Sequence, residues 1–372
     1  MNAHKSITPD TATGQVGCSI RCASARDASL QGTAPMQGVL FIGDPHLSSR
    51  RPGRRTDVNF AATVLDKLAQ AFQIARDRAW QPVILGDLFD RAGEQDLMVL
   101  SGLLHLLRDH RDAGGAIPVT LVGNHDLKDA TLSGDTALSV IHESGLLRVL
   151  EDDQPFPLYR GSTGAHQSDG DMFALLLPYS YGQEDTLLKN GYGKDAPANN
   201  KVHVIALTHA DFAFAGAYPG AKELVAVPGV DMVVNGHMHK LCPAVRRKNT
   251  LWWNPGNITR MSMDCESHAP RVWSWAPGED TLTGHVLRHE KFVFDRTGVS
   301  VGANVQDLKR HLREDAPLSS QFVALLKEQQ ELEVPFTEDG SGIRSELEAV
   351  CHEQKADAVV LDILQGLLSC QN

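Results

Sequence analysis

The 372-residue chain contains no apolar run long enough to span a membrane, so an integral membrane protein is not expected. Cysteine is scarce and scattered, at Cys18, Cys22, Cys242, Cys265, Cys351 and Cys370. Only Cys18 and Cys22 are close, and no second pair completes a zinc site with them. Reduced thiols in a cytoplasmic protein are the expectation. Lys5 and Arg21 near the start are followed by no continuous apolar core, so no secretory signal is expected. Positive charge is in deficit: 35 Lys and Arg stand against 46 Asp and Glu, a net charge of −11. That argues against a protein that coats nucleic acid through its overall charge. It leaves room for one that grips nucleic acid locally, or through metal ions.

What is present is an ordinary globular composition, 42% hydrophobic and 22% charged, with sixteen histidines. The length suits one large domain with a smaller one, or two of medium size. Residues 1–36 are rich in Ser, Thr, Ala, Gly and Gln without periodicity and read as a disordered leader. Gly38 to Ile42 is the first strand-like run. Asn59 to Arg78 carries Phe60, Val64, Leu68, Phe72 and Ala75 at helical spacing. Pro82 to Leu85 is a second strand, and Glu94 to Arg111 a second amphipathic helix. Val119 begins a third strand. This alternation predicts a parallel sheet with helical crossovers. Further strands are expected at Met172 to Leu177, Val202 to Leu207, Val230 to Val234, Leu251 to Trp253, Arg271 to Trp275 and Leu282 to Leu287. They would finish a mixed or two-layer sheet. From about Asp295 the pattern turns helical, with breaks at Pro317, Pro335 and Gly340.

Five of the apolar runs end in the same kind of residue. The ends carry Asp44 and His46, then Asp87, then Asn124 and His125, then His209, then His237 and His239. Ligands of open α/β sheets sit at the carboxyl ends of strands, so all five clusters are expected on one sheet edge. Residues two apart on an extended segment point the same way, which pairs Asp44 with His46 and His237 with His239. One ion does not need so many ligands, whereas two ions sharing a carboxylate do. Asp87, alone at its strand end, is the natural bridge. Oxygen and imidazole donors without thiolates suit Mn, Fe or Zn. Two such ions can hold a hydroxide between them and clamp a phosphate for in-line attack. The bland alternative is that each Asp or His is a cap or a surface residue. It suits any one cluster better than all five in this order.

In order, Asp-Pro-His, Gly-Asp-Leu-Phe-Asp, Gly-Asn-His-Asp, an isolated strand-end His and Gly-His-Met-His resemble the motifs of the calcineurin-like metallophosphoesterase superfamily. The resemblance covers Val39 to about Arg260. It implies an α/β fold, a two-layered β-sandwich flanked by helices. The metallophosphoesterase domain would be 37–294, and 295–372 a small helical C-terminal region that contacts a partner or DNA. One ion would take Asp44, His46, Asp87 and His239, and the other Asp87, Asn124, His209 and His237. His125 would be the general acid, with the Asp90 carboxylate orienting it.

Within the superfamily, Trp252 to Met261 resembles the Pro-Gly-Ser…Arg segment of DNA double-strand-break nucleases of SbcD type, with Asn257 in place of the usual Ser. Thr208 to Ala217 resembles phage-type members of that group. Arg50, Arg51, Arg54 and Arg55 follow His46 directly and could track a phosphate backbone, as could Arg260; a solvated loop is the alternative. The resemblance implies a Mn-dependent exonuclease or endonuclease of recombination or repair. It also implies DNA and an SMC-like (SbcC-type) ATPase as partners, and a tendency to homodimerise. The competing reading is a phosphatase or phosphodiesterase for a small molecule, nucleotide or phosphoprotein, which the acidic charge favours. A metal-free scaffold would have lost ligands, and no expected position is lost.

Overall fold

The computed structural model describes residues 35–295, apart from 95, 153, 161–170, 193–201, 216 and 218–219. The helical region expected over 295–372 therefore lies outside the described residues, apart from its first. So does the leader, except for Pro35 and Met36, and Met36 is buried in the core.

The first strand, β1 (Gly38–Ile42), is buried along its whole length. Its alternation sorts side chains to two cores. Val39 and Phe41 face a second sheet, while Leu40 and Ile42 face helices. Helix α1 (Phe60–Arg78) starts where the Asn59 side chain accepts from Ala62 N, which satisfies an otherwise orphaned donor. Its buried stripe of Phe60, Val64, Leu68, Phe72 and Ala75 is the one its spacing predicts. The helix returns the chain to β2 (Trp80–Ile84), parallel to β1. Helix α2 (Leu97–Asp112) leads to β3 (Val119–Thr120), again parallel. Helix α3 (Ala137–Glu143) leads to β4 (Arg148–Val149).

The chain then builds the second sheet. Its members are β5 (Phe156–Tyr159), β6 (Met172–Tyr179), β7 (His203–His209), β8 (Met232–Gly236), β9 (Cys242–Arg247) and β10 (Thr250–Asn254). A short helix α4 (Glu184–Asn190) follows β6. Strands β6, β7, β8 and β10 run parallel, and β5 and β9 close the two edges antiparallel. The last strands, β11 (Arg271–Trp275) and β12 (Thr283–Val286), return to the first sheet, with β11 antiparallel to β1.

The result is two six-stranded sheets face to face, in orders β12-β11-β1-β2-β3-β4 and β5-β6-β7-β8-β10-β9. Val39, Phe41, Val83, Ile205, Leu207, Met232, Val234 and Trp275 fill the space between them. Two expectations are refined. The strands form two sheets, so the ligand clusters come from both. The third run is regular strand for only two residues, and its tip, Asn124–Asp126, is a single 3-10 turn.

Candidate metal centre

Three of the five clusters leave their strands through a left-handed turn. Asp44 (φ 25°), His46 (φ 49°), Asp87 (φ 47°) and His237 (φ 69°) all have the left-handed backbone that non-glycine residues avoid. Such strain costs ~1–3 kcal/mol per residue, and it gathers where geometry serves function. Two glycines let the strand ends close up. A Cβ on Gly123 would collide with Asp87 Oδ1. One on Gly236 would lie 2.8 Å from both Asp44 Oδ1 and His209 Nδ1. Asp126 joins the turns: its Oδ2 accepts from Gly123 N at 3.0 Å and its Oδ1 from Phe89 N at 3.3 Å. This is the turn-shaping role expected of a residue with no chemistry assigned.

The side chains converge. His46 Nε2 lies 2.8 Å from His239 Nε2 and 3.6 Å from Asp87 Oδ2. His209 Nε2 lies 3.3 Å from Asp87 Oδ2 and 3.2 Å from Asn124 Oδ1. His237 Nδ1 lies 3.0 Å from Asn124 Oδ1, and its backbone N donates to Asp44 Oδ1 at 3.2 Å. Among the described residues, two groups have ligand atoms within 4.8 Å of one another: His46, Asp87 and His125, and Asp87, His209 and His237. Asp87 belongs to both, the position expected of a bridge.

The electrostatics of this cluster call for cations. Burial pushes the Asp44 carboxyl up, and Asp87 nearby adds to that. Burial opposes ionisation of Asp87 too, but His209 and His46 outweigh it and hold the group well below the usual carboxylate range. His209 is pushed up to about 9: burial works against its charge, and Asp87 and Asp44 override it. His239 is lowered to about 3 by burial and by the adjacent His46. Two buried carboxylates share one pocket with imidazoles that cannot all be charged. Divalent ions bound there would balance the carboxylates and take the imidazoles as neutral ligands.

The donor set fits. Asp44 Oδ2 is buried with no hydrogen-bond partner, and the His46 and His239 nitrogens face each other. Donors are carboxylate, amide oxygen and imidazole, as Mn, Fe or Zn accept. Outer partners fix the rings: His209 Nδ1 donates to Leu85 O at 2.7 Å, freeing Nε2 for the cluster.

Three expected roles are corrected. Asp90 does not orient His125 through its carboxylate. His125 Nδ1 donates to the Asp90 backbone carbonyl at 2.7 Å, while the carboxylate lies 3.5 Å from His46 Nδ1. Arg55 is buried. It makes two 2.7 Å bonds to the Asp57 carboxylate, donates to Arg260 O at 2.9 Å, and lies over Phe60 and Phe294. Arg260 is buried too, donating to the backbone carbonyls of Glu266, Lys291 and Glu290. These two guanidiniums hold the fold together and are not presented to a polyanion. Arg50, Arg51 and Arg54 remain exposed, with Arg51 held by Asp57 O.

Two rim residues escaped the sequence reading. Asp211 Oδ2 lies 3.3 Å from His237 Nε2. The half-exposed Tyr181 ring has its centroid 5.7 Å from that of His237 and 6.3 Å from that of His209. Asp211 stands two residues past His209 at a strand end, the spacing that had paired the other ligands. Nothing local marked Tyr181.

A sandwich whose strand ends gather two carboxylates, an amide and a ring of histidines around one shared aspartate defines a metal-dependent hydrolase. The chain belongs to the calcineurin-like phosphoesterase family, whose model matches residues 38–241, more than half its length. Among solved structures, a hypothetical protein from Thermus thermophilus is similar at 14% identity over 67% of this chain and 98% of that one, with a TM-score of 0.36. No curated protein matches.

Proposed function

We propose that the chain is a dimetal phosphodiester hydrolase that cuts DNA, a nuclease of SbcD type. The observation that carries the hydrolase reading is the pair of His and Asp groups sharing Asp87, one of which includes the exposed His125. Asp44, His46, Asp87 and His239 would hold one ion, and Asp87, Asn124, His209 and His237 the other. When bound, such ions supply charge that grips a phosphate and activates water near neutral pH. His125 donates the proton to the leaving oxygen through Nε2, since its Nδ1 is committed to the Asp90 carbonyl. Asp90 acts on His125 by position, and its carboxylate steadies His46.

Support for DNA as substrate comes from the rim. Arg50, Arg51 and Arg54 are exposed in the loop that follows His46, where they can follow a phosphate backbone. Near His237, Tyr181 offers a face on which a base can stack. Mn as the working metal and an SMC-like ATPase and a second copy of the chain as partners belong to the same reading. A phosphatase or phosphodiesterase for small phosphoesters is the second reading. The net charge of −11 and the burial of Arg55 and Arg260 favour it.

One experiment separates them. Purified protein with Mn is assayed side by side on linear duplex DNA, single-stranded DNA and an aryl phosphodiester. Cleavage of DNA that weakens when Arg50 and Arg51 become alanine supports the nuclease. Turnover of the aryl ester alone, indifferent to those changes, gives the second reading.

A further inference from the structure

Among the described residues, the cluster histidines differ in how their outer nitrogens are held. His209 and His125 each donate from Nδ1 to a backbone carbonyl, Leu85 O and Asp90 O. His237 is turned the other way. Its Nδ1 faces Asn124 Oδ1 inside the cluster, and its Nε2 meets the Asp211 carboxylate at 3.3 Å.

The backbone that carries this carboxylate is held in place by its neighbours. Strands β7 and β8 run parallel, with His209 opposite Gly236, so the segment after His209 runs beside the one that carries His237. Phe212, the next residue, is fully buried against Trp252. The Asp211 carbonyl accepts from Lys222 N at 3.0 Å. The backbone is thus pinned on both sides of a side chain that is half exposed.

We propose that Asp211 is a positioning residue for one of the two ions: it holds His237 in the tautomer protonated at Nε2, so that the Nδ1 lone pair faces the ion shared by Asn124 and His209. Carboxylate partners of this kind raise the basicity of a ligating imidazole and fix its ring angle, and losing one costs about 10–100-fold in metal affinity. The effect is local to one ion. His46 and His239, which would serve the other, make no contact with Asp211 among those described. This inference rests on the two-ion reading above.

The test uses the full chain, stripped of metal and titrated with Mn and, separately, with Co, whose absorption spectrum reports ligand geometry. The wild type is expected to take two ions. Asp211→Ala should weaken one of them about 10–100-fold, alter the Co spectrum of that site alone and leave the other unchanged. Asp211→Asn, which keeps an acceptor and loses the charge, should fall between. The melting temperature of the metal-free protein should not change, because the side chain is half exposed. Wild-type and Asp211→Ala titrations that superimpose would overturn the proposal, as would equal weakening of both ions. A wild type that takes fewer than two ions would remove the two-ion reading itself, a result visible before any variant is made.

Discussion

His125 is exposed at the mouth of the cluster, yet its ring is fixed by the Asp90 carbonyl and its backbone N donates to Asp87 Oδ1 at 2.9 Å. It is close enough to His46 and Asp87 to be counted a ligand on distance alone. A proton donor and a ligand respond differently to removal. His125→Ala should lower turnover on a phosphodiester by roughly 10²–10⁴-fold while two ions remain bound. Metal analysis of that variant decides the matter, since loss of an ion would make His125 a ligand. The arginines divide in the same way. Arg55 is buried in a bidentate pair with Asp57, and removing one partner of such a pair leaves an unpaired charge. Arg55→Ala should destabilise the fold by about 3 kcal/mol in denaturant unfolding. A variant that unfolds like the wild type but binds DNA poorly would return Arg55 to the substrate-binding rim.

At the level of elements, the two long helices are locked together through a histidine that no chemistry claims. His110 of α2 is fully buried. Its Nδ1 lies 3.0 Å from Arg76 Nη1 of α1, and its Nε2 lies 2.9 Å from Ala116 O, on the way into β3. Both contacts are satisfied by one neutral tautomer, with the guanidinium donating to Nδ1 and Nε2 donating to the carbonyl. Burial first, and then Arg76, lower its pKa to about 4 from an unfolded value near 6.5. Between those values the unfolded chain binds a proton that the folded chain refuses. Stability present above pH 6.5 is therefore lost as pH falls toward 4, by on the order of 2–3 kcal/mol. Unfolding of metal-free protein at pH 7 and pH 4.5 should show this loss, and His110→Gln should lose less. Equal losses in the two proteins would place the acid sensitivity elsewhere. The helices themselves were legible in the sequence because their apolar stripe is a local pattern. Strand β9 was not. It is an edge strand with mostly exposed side chains, including Arg246 and Arg247, so no alternation of burial is written into it.

Across the whole molecule, the site is a seam between two sheets. Asp44, His46, Asp87, Asn124 and His125 come from the first sheet, and His209, His237 and His239 from the second. Ions bound there would tie the layers together, and the unfolded chain has no such site. A chelator should lower the apparent melting temperature by about 5 °C or more, and added Mn should restore it. An unchanged melting curve would mean that the cluster holds no ion in the purified protein. The sequence alone determined the family and which Asp, Asn and His residues stand at the strand ends. An apolar run, a glycine and a ligand are neighbours in the chain, and their meaning survives whatever packs on them. It also determined the crossovers, because short connections between strands and helices leave few alternatives. The tertiary structure alone decided which donors are used up internally. Arg55 and Arg260 meet across 205 positions, and His237 meets Asp211 only because β7 and β8 lie side by side. A charged side chain is written the same way whether it faces water, a carbonyl or a neighbouring ligand. What it faces is set by the parts of the chain that folding brings to it.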